Sequence, residues 1–585
     1  MAIIGIDLGT TNSLAAVWRN RRSELIPNAA GEYLTPSVVS VDDDGSILVG
    51  KSAKERLVSH PERSVAGFKR DMGTGRKFRL GERSFTPEEL SSFVLRALRE
   101  DAERHLGEAV TEAVVSVPAY FAEGQRAATK RAAALAGLHV ERLINEPSAA
   151  VLAGLGAGDG EQKLVLVFDF GGGTLDVSLV ELFDDVVSVM AVSGDIRLGG
   201  RDFDEAIARA FCEQCGLAWG SLSPQRRGNL LRQAEICKIA LSDREPVLMS
   251  VMDGGDASSI IMTSEWLIRR CNALFRRLTA PVRKVFLDAG IPPRELDELI
   301  LAGGSSRMPT IRSYISRFLD RKPVANCPPE FAVALGAGVC AGMKAHAREL
   351  RDLILTDICP FTLGVDVINQ SEPGRLLMSP IIERNSPLPT SRMGLYSTTR
   401  DNQDKVEIRI YQGENRYCAD NAYLGKMELS VPPAPAGEQS IRIRFTYDIN
   451  GLFEAEAVND QGERAHLLLR GDDMTDEEAR RRLEELQKLK LHPREQEVNR
   501  EVTARGERLY SVTVGRIRFQ VGRMLDWFQA QLNSQDPMRI AGARRKANQF
   551  FDQVEAYMEN AAFSSDDWPE PDDDWPDRDG AEEDS

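Results

Sequence analysis

Two stretches of the 585-residue sequence repeat one pattern, in which a short apolar run delivers an aspartate and then turns through glycine and threonine. The first is Gly5-Ile-Asp7-Leu-Gly9-Thr10-Thr11-Asn12, and the second is Val167-Phe-Asp169-Phe-Gly171-Gly172-Gly173-Thr174-Leu-Asp176. Their leading aspartates, Asp7 and Asp169, lie 162 residues apart. Glycine lets backbone approach a phosphate closely, and successive N–H groups in such a turn form an anion-binding nest. A carboxylate repels phosphate but can hold a hydrated Mg²⁺ that binds it. One such loop is equally well explained as a structural hairpin. Two facing loops would clamp a triphosphate from both sides.

Other phosphate-binding signatures fail. No G-x-x-x-x-G-K-[ST] segment occurs, which excludes a P-loop. Gly336-Ala-Gly338-Val-Cys-Ala341 fits a loose dinucleotide fingerprint, yet no strand precedes it and its Ala-rich surroundings are helix-like. A third strand-to-turn element, Leu301-Ala-Gly303-Gly304-Ser305-Ser306-Arg307, suits passage beside an adenosine. Glu235, Lys238 and Ser242, at spacings of three and four, share one helical face. They could clamp ribose and base with Arg307 stacking above, although a solvated helix surface has the same spacing.

The first 350 residues alternate strand-like and helix-like segments, predicting an α/β domain. Ile3–Leu8, Ala113–Val117, Leu164–Phe168, Val177–Leu182 and Leu299–Leu301 read as strands; Pro87–Leu106, Ala122–Ala136 and Thr263–Ala289 read as helices. From about 360 to 470, Met393–Ser397, Val406–Gln412, Ile441–Tyr447 and Leu452–Val458 predict an all-β domain. Thr475 and Glu478 form a capping box before a charged helix. Tyr510, Val514, Ile517, Val521, Leu525, Phe528 and Leu532 then predict one long helix with an apolar stripe, and a third helix follows from about 536 to 563.

The formal charge of −16 is unevenly placed. Residues 564–585 carry eleven acids and one arginine, with Trp568 and Trp575 among them, and read as a disordered tail. The remainder is only mildly acidic, which argues against a broad nucleic-acid-binding face. The start lacks the basic n-region of a signal peptide, and the longest apolar-leaning run, Phe331–Met343, is too short to span a bilayer. Eight scattered cysteines do not form a disulfide framework and point to a reducing cytoplasm. Cys212-x-x-Cys215 has no second pair at metal-ligand spacing and reads as one face of a helix.

Over nearly residues 1–560 the sequence resembles the heat shock protein 70 (DnaK) chaperone family. The motifs that carry the likeness are Ile4-Gly-Ile-Asp-Leu-Gly-Thr-Thr-Asn-Ser13, Gly67-Phe-Lys69-Arg70, Val115-Ser-Val-Pro118-Ala-Tyr-Phe121, Arg142-Leu-Ile-Asn-Glu146-Pro147, Phe168-Asp-Phe-Gly-Gly-Gly-Thr174 and Leu198-Gly199-Gly200-Arg-Asp-Phe-Asp204. The compact size is similar to the bacterial HscC-like branch. The resemblance implies an actin-like ATPase domain over 1–350 and a linker over 351–357. A β-sandwich substrate domain over 358–471, a helical lid over 472–563 and the acidic tail would follow.

It further implies a cytoplasmic, ATP-driven chaperone that binds extended apolar segments of client polypeptides, with ATP/ADP and Mg²⁺ as cofactors and a J-domain co-chaperone as partner. Lys69 would position the attacking water, Glu146 and Asp176 would orient or deprotonate it, and Asp7 and Asp169 would hold Mg²⁺ through water. Thr10, Thr11 and Thr174 would contact phosphates together with Gly9, Asn12, Gly171, Gly172, Gly173, Gly199 and Gly200. Glu235, Lys238, Ser242, Gly303, Gly304, Ser305 and Arg307 match adenosine contacts. Pro118, Arg126, Arg142, Leu353, Ile354, Leu355 and Asp357 match the interdomain relay, and Val365, Ile368, Tyr396, Val406 and Ile408 match the peptide cleft.

The segments after Arg70 and around Asp243–Ser264 are shorter than in typical members, so dependence on a nucleotide-exchange factor is doubtful. A small-molecule kinase or an actin-like filament ATPase would share the paired loops but would leave residues 352–563 unexplained.

Overall fold

The computed structural model describes residues 2–154, 162–183, 186–253, 256–324, 327–351, 353–369, 371–372, 374–448, 451–469, 493–535 and 537–560. The chain divides into two compact units, Met1–Leu483 and Glu484–Ser585.

The sequence repeat is a structural repeat of two hairpins. Strand β1 (Ala2–Asp7) pairs antiparallel with β2 (Asn12–Arg19), placing Asp7 opposite Leu14 at the turn. On its other side β1 runs parallel to β3 (Val110–Val117). In the second sheet, β4 (Lys163–Phe170) pairs antiparallel with β5 (Leu175–Phe183), placing Asp169 opposite Asp176. Strand β6 (Val186–Asp195) continues that meander, and β7 (Glu298–Ala302) runs parallel to β4. Each hairpin thus ends in an aspartate, and each leading strand has a parallel neighbour.

These strands are near-continuous apolar runs because both faces are covered. Between them lie helices α1 (Glu146–Gly154) and α2 (Ala332–Lys344). The rejected dinucleotide fingerprint is in α2, and its glycines serve close packing. A Cβ on Gly336 would overlap the carbonyl of Ala149 in α1, and one on Gly5 would overlap the backbone of Ala337.

The expected α/β strands are present with small boundary shifts, as are the helices Pro87–Leu106 and Glu123–Leu135. The expected single helix Thr263–Ala289 is two, Ser264–Arg270 and Asn272–Ala289, separated at the buried Cys271. All eight cysteines are unpaired, and Cys212 is buried in the helix Gly200–Gln214.

Strand β8 (Ile354–Ile358) carries the chain onward. It joins the second sheet parallel to β6, with Leu355 opposite Val187, and pairs antiparallel with the short strand Pro387–Leu388. The all-β region is a sandwich of two four-stranded antiparallel sheets. One contains Leu363–Val367, Leu377–Ile382, Lys405–Gln412 and Ala422–Ser430; the other runs Thr390–Ser397, Ser440–Tyr447, Phe453–Asn459 and Arg464–Leu469. Inward residues such as Ile410, Ile443 and Phe445 form its core.

The second unit is a helical bundle of α3 (Glu497–Val512), α4 (Gly515–Asn533) and α5 (Pro537–Asn560). Val521, Phe528 and Leu532 enter its core with Val502, Leu509, Phe551 and Val554. The expectation of one helix through Tyr510 and Val514 is corrected. The chain turns at Thr513–Gly515, Gly515 takes a φ of 60°, and Tyr510 and Val514 are exposed. A positive φ is incompatible with a continuing helix and is least strained at glycine. The capping box at Thr475 and the tail after Asn560 lie outside the described residues.

Candidate functional site

The two hairpin turns face each other. A Cβ on Gly172 would overlap the Thr11 hydroxyl, and one on Gly173 would overlap the Thr10 side chain, so only glycine permits this approach. The turns open on a cavity of about 310 Å³. Asp7, Gly9, Thr10, Thr11, Asn12, Lys69, Glu146, Asp169, Gly171, Gly172 and Thr174 line one region of it. Gly200, Glu235, Lys238, Ser242, Gly303, Gly304, Ser305 and Arg307 line the remainder. Three expected residues are set just behind the wall. Gly199 packs on the Gly172–Gly173 backbone, Gly173 on Thr10, and Asp176 lies opposite Asp169 across the hairpin.

Lys69 Nζ donates to Glu146 Oε1 at 2.6 Å, and both side chains are buried. The lysine also sits over the Phe121 ring at 5.7 Å. Around this pair are the buried Asp169 and Asp176 and the half-buried Asp7, so one lysine faces four carboxyl groups. Burial, then repulsion from Glu146, pushes the Asp7 and Asp176 carboxyls up to about 7, with Lys69 opposing. Ser116 Oγ also donates to Asp7 at 2.9 Å. Asp169 is raised well above the usual carboxylate range, by burial first and then by Glu146 and its other acidic neighbours. Among the described residues the buried Thr11 Oγ1 at the cavity wall has no hydrogen-bond partner, nor has Asp176 Oδ1 just behind it, and a dry site cannot leave such atoms unmatched cheaply. The cavity is built to receive a ligand carrying cationic charge and hydroxyl-matching oxygens.

Two features were not singled out from the sequence. Arg70 donates to the Gly173 carbonyl at 2.8 Å and to Asp202 at 2.6 Å, while Asp202 accepts from Gly199 N at 2.7 Å. This bracket holds the second phosphate loop against the start of the helix Gly200–Gln214. Lys238 pairs with Asp204 at 2.6 Å and donates to the Gly200 carbonyl at 2.9 Å. Asp204, Arg201 and Asp243 also line the cavity. At the rim, Glu235 accepts from Lys54 at 3.0 Å, and Arg307 pairs with Glu330 at 2.6 Å. Lys54 comes from the helix Lys51–Ser59, so this ion pair ties the two walls together.

Several residues expected to form the relay meet at Asn145, the chain neighbour of Glu146. Arg126 donates to Asn145 Oδ1 at 2.6 Å and to the Phe121 carbonyl at 3.1 Å, and the Phe121 amide donates to the Pro118 carbonyl at 3.1 Å. The Asn145 amide donates to both oxygens of Asp357 in β8 at 2.6 Å. Leu355 is buried, Leu353 half-buried against the same core and Ile354 exposed. Arg142 is half-buried and lies near Cys340. Three further contacts join the sandwich to the α/β body: Tyr447 Oη donates to Glu123 at 2.8 Å, Arg384 pairs with Asp288 at 2.6 Å, and Phe361 packs on Tyr120 at 4.7 Å.

The five expected peptide-cleft residues separate. Ile368 is exposed, whereas Tyr396 and Val406 are half-buried, with Tyr396 Oη bonded to Ser379 Oγ at 3.1 Å. Val365 and Ile408 belong to the sandwich core at 1% and 3% exposure. Alternation along their strands turns these two toward the opposite sheet.

A family model described as Hsp70 protein matches residues 3–536. The chain is also 39% identical over 479 residues to a protein called Chaperone protein DnaK from Thermotoga neapolitana, covering 78% of each chain.

Proposed function

This chain belongs to the Hsp70 family and is an ATP-dependent chaperone with ATPase activity, and from that premise we propose how its residues divide the work. ATP occupies the cavity with its phosphates between the Thr10–Thr11 and Gly171–Thr174 turns. Its adenosine lies toward Gly303–Arg307 and the Glu235–Ser242 face. The excess of carboxyl groups over lysine supports a Mg²⁺ ion held beside Asp7 and Asp169. Among the described residues no three His, Cys, Asp or Glu side chains could hold a metal by themselves. When bound, the ion offsets negative charge on the phosphates.

Phosphoryl transfer to water is mostly positioning and electrostatics. Lys69, fixed by Glu146, holds the attacking water and stabilises charge on the γ-phosphoryl oxygens. The water oxygen bonds to the γ-phosphorus as the bond to the β–γ bridging oxygen breaks. The water proton passes to Asp176, whose raised affinity for protons suits a base working near neutrality. Glu146 orients the lysine and the water, and Thr174 contacts the departing phosphoryl group.

Peptide capture uses the sandwich, with Ile368, Tyr396 and Val406 presenting apolar surface and Val365 and Ile408 supporting it from the core. Clients are extended apolar polypeptide segments, and a J-domain co-chaperone docks near β8 and Arg142. The eight unpaired cysteines support residence in a reducing cytoplasm, and among the described residues no helix is long and apolar enough to cross a membrane.

The observation that carries the catalytic assignment is the buried Lys69–Glu146 pair at the junction of the two loops. Single-turnover hydrolysis by Lys69→Ala tests it. A loss of roughly 10²–10³-fold with nucleotide still bound is expected; near-normal hydrolysis removes Lys69 from the mechanism.

A further inference from the structure

One end of the helical unit exposes apolar side chains that its core does not use. Val514 and Phe519 are 78% and 67% exposed, and Tyr510, Val512 and Met558 are exposed beside the same turn. Packing within the bundle fixes where that turn lies. Arg505 of α3 donates to both Asp552 and Glu555 of α5 at 2.6 Å. A Cβ on Gly506 would press on Leu525 of α4 and Phe551 of α5 at 2.6 Å. Helices α3 and α5 therefore run in the same direction. Helix α5 ends, at Asn560, level with the α3–α4 turn.

The surface at this end is also cationic. Arg516 and Phe519 are three residues apart on α4 and share a face, and the Arg518 guanidinium covers the Tyr510 ring at 4.6 Å. The chain that leaves Asn560 has the complementary chemistry. Residues 564–585 hold eleven acids, one arginine and two tryptophans, with Asp566 and Asp567 directly before Trp568. Trp568 is eight steps along the chain from Asn560, a span of about 26 Å when extended, so the indole reaches any part of the turn.

We propose that the acidic segment 564–585 docks in cis on this end of the bundle. Trp568 covers Phe519 and Val514, while Asp566 and Asp567 face Arg516 and Arg518. The energetics favour an intramolecular partner. A short tether gives an effective concentration in the millimolar range, so a contact with a bimolecular Kd of about 1 mM is half-formed without any second molecule. Tryptophan is the side chain best suited to cover an aromatic flanked by guanidinium groups. Charge pairing across an exposed surface is screened by salt, so the docked population falls as ionic strength rises.

Hydrogen exchange on the full chain and on a variant ending at Phe563 tests the docking. Truncation is expected to speed exchange about threefold or more over residues 510–520, with no change at the far end of α4. A second readout follows the segment itself. In the fluorotryptophan-labelled full chain, the ¹⁹F resonance lost in Trp568→Phe should shift on Phe519→Ser and on raising salt to about 1 M. Phe519 is a surface residue, so the bundle survives its replacement. Unchanged exchange together with an unmoved resonance overturns the proposal. So does protection that grows with protein concentration alongside dimers in sedimentation, because the occupant is then a second copy. A resonance that shifts only when an unfolded client is added also overturns it.

Discussion

The side-chain amide of Asn145 donates to both carboxylate oxygens of Asp357 at 2.6 Å, and the next residue along the backbone, Glu146, anchors Lys69. The adjacent residues Asn145 and Glu146 thus connect Lys69 to the strand that leads into the sandwich. Arg126 holds the other end of the Asn145 amide at 2.6 Å. A shift of Glu146 with the state of the γ-phosphate would be felt at β8 without any other intermediary.

Removing that link should uncouple the domains and spare the chemistry. Hydrogen bonds to a charged group contribute about 1.5–3 kcal/mol, so Asp357→Ala is expected to lower the docked population roughly tenfold to a hundredfold. Exchange at the Ile354–Ile358 amides, measured with ATP bound, should rise accordingly, while single-turnover hydrolysis changes little. Unaltered protection of β8 would place its anchor elsewhere.

The rim pair Lys54–Glu235 predicts a small effect on nucleotide release. Its side chains are partly exposed, which limits such a pair to about 0.2–1 kcal/mol. Lys54→Ala should therefore speed release of a fluorescent ADP by at most about fivefold, with a smaller increment at high salt. No change would mean that the two walls separate without strain on this contact.

The raised carboxyls predict a pH dependence with a definite sign. Asp7 takes up a proton in the folded nucleotide-free chain below about 7 and in the unfolded chain only near the ordinary carboxylate value of 3.8. Between these values the folded state binds more protons, so stability falls as pH rises through the window. Thermal unfolding without nucleotide should show Asp7→Asn gaining on the parent chain from pH 4 to pH 8, while losing Mg²⁺-dependent stabilisation by nucleotide. An Asp7→Asn difference independent of pH would contradict a carboxyl that binds protons near neutrality.

Gly336 predicts a structural failure. The carbonyl of Ala149 leaves no room for a Cβ, and backbone cannot yield as a side-chain tip can. Gly336→Ala should destabilise the α/β body by about 1–3 kcal/mol or more, the usual cost of overpacking, whereas Gly542→Ala, which meets open space, should not. Chemical denaturation of the two variants distinguishes them.

The paired loops were readable because their chemistry depends on local sequence: a buried strand, an aspartate and glycines in a fixed order. The packing role of Gly336 was half-readable, since rejecting it as a phosphate site followed from its missing strand, but its contact with Ala149 is long-range. Asn145, Asp202 and Asp204 stood inside recognised motifs without a role, because their partners Asp357, Arg70 and Lys238 are distant in sequence. The α3–α4 break escaped notice because Tyr510, Val514 and Ile517 keep helical spacing across it, and only the backbone at Gly515 betrays the turn. For Val365 and Ile408 alternation gives two faces, and tertiary packing puts both in the sandwich core.

We propose that nucleotide state at Lys69 and Glu146 is transmitted through Asn145 and Asp357 to peptide held by the sandwich. The most direct measurement is the off-rate of a fluorescent apolar peptide from the full chain, followed by stopped flow as ATP is added. The account predicts fast release from the parent chain and slow release from Asp357→Ala despite normal ATP binding. An off-rate that ATP leaves unchanged in the parent chain would contradict it.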